Sequence, residues 1–405
     1  MHPIRRISTA LCAALILPAL LVPSAQSLEP NSVASIFERY ISKKELANPS
    51  VIVIDQTTGE VVFAKNSNSL RKPASVQKIL AAVSALTYFA PTETFTTTVS
   101  LGLRTRTLVI EGSRDPWISF NHKEAVRLGR TSLQRIEYNS LSSLIEANEE
   151  PVTKATIYYT NLYSQEVAHI KAFYKKQGIT ASLKRVNARE AQELKGEEIL
   201  QSSSPELQRM LAFFLTWSDN VLTERIARLA ALKAGEPFDE EGVAVTFAGI
   251  LETYGINSSS LLVKDASGLS HNNRITAAQV GSLLLKIRNE PQFAPVVNGL
   301  PISGITGTLK DRFTKTAPEA VGLVKAKTGT LNGTTNLAGY IESGDREYVF
   351  VIISDKHPRT YSAAKRARAT VDRILGKIAA PLSPQPAPQI SPEPVVEQPE
   401  VVVNS

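Results

Sequence analysis

Residues 31–46, NSVASIFERYISKKEL, set apolar side chains at helical spacing, and Asn31 or Ser32 is placed to cap that helix. SVIVIDQTTGEVVFAKN then gives two apolar strands around a Thr-Thr-Gly turn, the pattern of a hairpin. In RKPASVQKILAAVSALTYFA a polar lead-in becomes a strongly apolar helix. The character changes after Pro91. TFTTTVSLGLRTRTLVIEG is Thr-rich and alternating, which favours strands, and residues 121–198 read as mixed helix and strand. From Ser204-Pro205 a helical pattern resumes in ELQRMLAFFLTW and continues after a break in VLTERIARLAALKA. NLAGYIES and REYVFVIISD are two further strands. SAAKRARATVDRILGKIAA closes the pattern as an amphipathic helix with Val371, Ile374, Leu375 and Ile378 on one face.

Strands from both ends of this layout can join one antiparallel sheet, with helices beside it and a block inserted between. That is an α+β fold. The expected division is a leader at 1–27, a discontinuous main domain at 28–91 and 201–380, an inserted small mixed α/β domain at 92–200, and a Pro-rich disordered tail at 381–405.

Composition narrows the function. The leader pairs Arg5 and Arg6 with the apolar run ALCAALILPALLVP and the small residues SAQS, so an exported protein is expected, in the periplasm or the cell wall. Cys12 is the only cysteine and lies inside that run, so the mature chain should hold neither disulfides nor a catalytic thiol. The five histidines form no pair at metal-ligand spacing, and no metal or cofactor is expected. A formal charge of +7 suits an anionic partner such as a wall polymer or a substrate ending in a carboxylate. No basic cluster is dense enough for nucleic acid, and membrane contact is expected to be peripheral at most.

Three short motifs carry candidate chemistry. Ser75 and Lys78 stand three apart, so on a helix they share a face and the amine can reach the hydroxyl. Helix-start N–H groups and the helix dipole favour a developing anion there. Ser69-x-x-Lys72 and Ser362-x-x-Lys365 repeat the spacing, but only the Ser75 copy opens an apolar helix that can desolvate a lysine. Ser218-Asp219-Asn220 breaks a helical run, where a short loop can present hydroxyl and amide to a cleft. Lys327-Thr328-Gly329 occurs once, against about 0.1 expected by composition. Its glycine would let another chain approach the backbone closely.

In this order the three motifs form the set shared by penicillin-binding proteins and serine β-lactamases. The chain resembles serine D-alanyl-D-alanine carboxypeptidases of the penicillin-binding protein 4 class. PASVQKIL, EGSRDPWIS, SSSPELQRML, VKDASGLSHNNRIT, LPISGITGTLKDRF and AKTGTLNGTTNLAGYI carry the likeness over roughly residues 31–378. The resemblance implies a β-lactamase/penicillin-binding transpeptidase-like fold: an antiparallel sheet flanked by helices, plus a helical subdomain. The block inserted here, about 110 residues, is shorter than in the larger members.

The resemblance also implies roles. Ser75 attacks the penultimate D-alanine carbonyl of a peptidoglycan stem peptide ending in D-Ala-D-Ala, and β-lactams acylate it as inhibitors. Neutral Lys78 is the base, although an unperturbed lysine is only about 0.04% neutral at pH 7. A dry helix face and repulsion from Lys327 are expected to lower its pKa. Lys327 attracts the substrate carboxylate with Thr328 and Thr330, Ser218 relays a proton to the leaving group, and Asn220 holds an amide or Lys78. The N–H groups of Ser75 and Thr330 form an oxyanion hole. Gly329, Asp265, Ser267 and Gly268 complete the cleft wall or its support. Cleavage of D-alanyl cross-links is a further activity of the class. The rivals are a serine β-lactamase, although no E-x-x-L-N segment lies between Lys78 and Ser218, and a non-catalytic wall-binding protein of the same fold.

Overall fold

The computed structural model describes residues 28–380; the expected leader and tail lie outside the described residues. The first strands are β1 (Ser50–Asp55), β2 (Val61–Lys65), β3 (Thr96–Gly102), β4 (Thr107–Gly112) and β5 (Lys154–Thr160). They are followed by β6 (Thr180–Arg185), β7 (Lys195–Ser203), β8 (Val324–Leu331), β9 (Thr334–Ser343) and β10 (Arg346–Ser354).

One sheet has the order β2-β1-β10-β9-β8 and is antiparallel throughout, so the two ends of the chain meet where β1 pairs with β10. The central strands β1 and β10 carry long apolar runs because both faces are covered. Ile52, Ile54, Val349, Val351 and Ile353 face a core shared with the Lys78–Tyr88 and Ala277–Ile287 helices. Val51, Val53, Phe350 and Ile352 face the opposite core with Phe37, Val371 and Leu375.

The second sheet has the order β6-β5-β4-β3-β7, with β4–β5 and β5–β6 parallel and the rest antiparallel. Its strands span Thr96 to Ser203, and Val99, Leu108, Ile110 and Ile157 anchor a separate core. The mixed α+β architecture with a mixed second sheet agrees with the sequence reading.

Two details differ from it. The first helix runs Pro30–Tyr40, with Glu29 at the capping position and no side-chain cap. Pro30 takes the first helical position, where its missing N–H costs nothing, so Asn31 and Ser32 lie inside the helix. Ser75 sits in a 3-10 turn, Ala74–Gln77, and the α-helix proper starts at Lys78.

Candidate active site

The Lys78–Tyr88 helix is buried on every side from Lys78 to Leu86, which marks it as the central helix of the helical layer. Burial carries Lys78 into the interior with 0% of its surface exposed. Ala74, just before the candidate nucleophile, has φ 47°, a left-handed conformation that a non-glycine residue adopts at a cost.

Several tethers hold this turn. Arg71 exchanges backbone hydrogen bonds with Ile275, and its guanidinium pairs with Asp355 at 3.1 Å. The Lys72 N–H donates to Asp355, while Asn336 Nδ2 on β9 donates to the carbonyls of Lys72 and Pro73 at 2.9 and 2.8 Å. Gly329 lies against the same turn: a Cβ there would come within 2.8 Å of the Pro73 carbonyl.

Lys78 Nζ sits among three oxygens. It lies 3.0 Å from Ser75 Oγ, 2.7 Å from Asn220 Oδ1 and 2.7 Å from the Ser267 carbonyl. An ammonium donates to all three. A neutral amine keeps two donors for Asn220 and Ser267, which turns its lone pair toward the Ser75 hydroxyl. Burial holds the Lys78 pKa down to about 8, against the opposing pull of the Glu224, Asp265 and Asp219 carboxylates. At pH 7 such a lysine is about 10% neutral, some 250 times more than in water.

Asn220 is presented by the break between the Leu207–Trp217 and Asn220–Lys233 helices. Ser218 ends the first in a left-handed conformation, φ 65°, and the Asp219 side chain caps the second by accepting from the Leu222 N–H. Asp219 therefore shapes the turn, while Ser218 and Asn220 reach the cleft.

Lys327 lies on β8, the free edge of the sheet, with 0% of its surface exposed. Its amine has one long hydrogen bond, 3.4 Å to the Thr328 carbonyl. Burial first, and then the charge of Lys78, push its pKa well below the ordinary lysine value. The repulsion expected between the two lysines is thus present, second to burial. Burial is the first cause of the downward shift of both lysines.

Edge geometry also orients the β8 backbone. The Ala326 N–H points away from β9 and donates to Pro301, so by alternation the N–H groups of Thr328 and Thr330 face outward too. Thr328 Oγ1 donates to Thr308 Oγ1 at 2.8 Å. A cleft of about 290 Å3 results, lined by Ser75, Ser218, Asn220, Gly268, Leu269, Thr308, Thr328, Thr330 and Leu331.

Asp265 and Ser267 stand behind this wall and do not line it. The Asp265 carboxylate accepts from the N–H groups of Gly268, Leu269 and Ser270 and from Asn273, fixing the loop. Ser267 contributes its backbone: the carbonyl accepts from Lys78, and the N–H donates to Glu224 Oε1 at 2.7 Å. Gly268, at φ 82°, leaves no room for a side chain, since a Cβ would meet the Ala74 carbonyl at 1.8 Å. Glu224 and Asn336 were missed by the sequence reading. Glu224 falls four residues after Asn220 on the same helix face, a spacing that could have flagged it.

The chain matches the family model described as the D-Ala-D-Ala carboxypeptidase 3 (S13) family over residues 33–135 and 143–378. It is 36% identical over 186 residues to carboxypeptidase DacB of Mycolicibacterium smegmatis, covering 45% of this chain and 40% of that protein. It is 30% identical over 166 residues to the D-alanyl-D-alanine carboxypeptidase of Actinomadura sp. strain R39, covering 40% and 30%. The chain thus spans 30–40% of the length of these curated relatives. Among solved structures it resembles penicillin-binding protein 4 (dacB) of Haemophilus influenzae complexed with a β-lactam. The TM-score is 0.67 at 17% identity, covering 86% of this chain and 99% of that one, a likeness of fold.

Proposed function

The chain belongs to the D-Ala-D-Ala carboxypeptidase 3 (S13) family, and from that premise we propose that it is a penicillin-sensitive serine peptidase removing the terminal D-alanine of peptidoglycan stem peptides. The observation that carries this reading is Lys78 Nζ, buried and within 3.0 Å of Ser75 Oγ, with two further acceptors fixing its orientation.

In the proposed reaction Lys327, Thr328 and Thr330 receive the terminal carboxylate. Ser75 Oγ then attacks the penultimate carbonyl while its proton passes to Lys78. The outward N–H of Thr330, with that of Ser75, stabilises the oxyanion; a donor of this kind is worth roughly 3–4 kcal/mol. The proton reaches the departing amine through Ser218, and water hydrolyses the ester. Among the described residues no carboxylate lines the cleft to activate that water on a drug adduct, which favours slow release of β-lactams over a lactamase. The apolar leader supports export to the periplasm or cell wall as the setting.

The pH dependence follows from the two lysines. With a saturating D-Ala-D-Ala peptide, the carboxylate keeps Lys327 protonated and only Lys78 must be neutral. The single-turnover acylation rate should therefore rise about tenfold per pH unit and level off near pH 8. In the free enzyme the pair must still hold one proton for Lys327, so kcat/KM should fall again on the alkaline side. A pH-independent acylation rate between 6 and 8 would contradict Lys78 as the base. Failure to hydrolyse any D-Ala-D-Ala peptide would contradict the proposed activity.

A further inference from the structure

A groove of about 820 Å3 opens beside the Ser75 cleft and shares Thr308, Thr328 and Thr330 with it. One wall is the loop carrying Arg312 and Lys315; the other is the Tyr361–Gly376 helix, which contributes Lys365 and Arg368. Arg312 is tied to Asp372, whereas Lys315, Lys365 and Arg368 have no ion pair among the described residues. Arg312 Nε and Arg368 Nε are buried donors without an acceptor, although buried donors are nearly always satisfied. A carboxylate, which only accepts, fits both the donors and the cations.

The same helix carries the cationic surface away from the groove. Arg366, Arg373 and Lys377 are exposed and fall at spacings of seven and four, one stripe along the helix. The stripe ends where the described chain leaves the sheet. There the Ala380 N–H donates to the Glu342 carbonyl, and Ala380 bridges Ser343, the last residue of β9. Thr335, near the start of β9, lines the groove, so eight strand residues, about 27 Å, separate Ala380 from it. The residues that follow, PLSPQPAPQISPEPVVEQPEVVVNS, hold Glu393, Glu397 and Glu400 and no lysine, arginine or histidine. At ~3.1 Å per residue for a proline-rich chain, the stretch from Ala380 to Glu393 reaches up to about 40 Å, enough to return along the stripe to the groove.

We propose that segment 381–405 docks along this stripe and into the groove, where its glutamates meet Lys315, Lys365 and Arg368 and compete with the substrate carboxylate for the adjoining Thr328 and Thr330. Ion pairs at an exposed rim are weak one by one. A tethered segment, however, acts at an effective concentration on the order of millimolar, so weak contacts suffice to occupy the groove. The competition rests on the proposed role of Thr328 and Thr330; the docking itself does not.

Zero-length carbodiimide coupling in the full chain tests the docking. It should join Glu393, Glu397 or Glu400 to Lys315 or Lys365 within one molecule, as read by peptide mass, and high salt should suppress the product. In the Glu393→Gln/Glu397→Gln/Glu400→Gln variant, the second-order rate of Ser75 acylation by penicillin should rise about fivefold at low salt and match the wild type at high salt. Lys315 and Lys365 are exposed, so Lys315→Gln/Lys365→Gln keeps the fold and should give a similar rise. Combining the two sets should add nothing further, since both break one contact. Absence of the coupled product, or rate effects that multiply, would overturn the docking and leave the carboxypeptidase reading intact. Sedimentation with phosphatidylglycerol vesicles, equal for the wild type and the glutamine variant, would assign the stripe to a lipid surface and also overturn it. An unlabelled Ser75 would overturn the carboxypeptidase reading, and the coupling would still decide the docking.

Discussion

Lys78→Ala is expected to slow acylation of Ser75 by at least ~100-fold in a chain that still folds. The rate loss is the low end for removing a general base. Folding should survive because alanine is the best helix former, and because the substitution removes an amine that the interior holds at 0% exposure. Against that stand two buried acceptors, Asn220 Oδ1 and the Ser267 carbonyl, which lose their donor. Each such loss costs roughly 1–3 kcal/mol. Lys78→Arg separates basicity from charge: it keeps a cation but cannot give up its proton, so it should be as slow as alanine. Stopped-flow acylation with a reporter β-lactam, beside a thermal melt of each variant, decides the matter. Near-normal acylation by either variant would remove Lys78 from the base role.

Lys327→Met should move activity and stability in opposite directions. Losing a charge-assisted contact to the substrate carboxylate removes about 1.5–3 kcal/mol, a ~10–150-fold fall in kcat/KM. The same substitution fills the site with an apolar chain of similar length and relieves a buried amine whose one hydrogen bond is 3.4 Å long. The melting temperature should therefore rise by a few degrees, a trade common where function requires a strained group. The sign of its pH dependence is fixed. Burial lowers the folded-state pKa of Lys327, so the unfolded chain binds more protons and wild-type stability rises with pH. The melting advantage of Lys327→Met should thus be largest near neutral pH and shrink toward pH 10. A lower melting temperature with unchanged kcat/KM would mean that Lys327 serves the fold and not the substrate.

The site was legible in the sequence as far as chemistry depends on local spacing. Ser75 and Lys78 are three apart, Ser218 and Asn220 flank one helix start, and Lys327 to Thr330 share one edge strand, so each motif carries its own geometry. The fold was legible for a similar reason. SVIVID and YVFVII read as apolar strands, and the chain changed texture after Pro91. What stayed hidden depends on long-range contacts with no local mark. Asp355 holds Arg71 and Lys72 from 283–284 residues away, and Asn336 holds the nucleophile turn from 263–264.

The central claim is that Ser75 becomes acylated, and labelled penicillin tests it most directly. Incubating the protein with the drug and mapping the adduct by peptide mass should find one acyl group, on Ser75, persisting over the experiment and absent from Ser75→Ala. No stable adduct, an adduct on another residue, or undiminished labelling of Ser75→Ala would contradict the account.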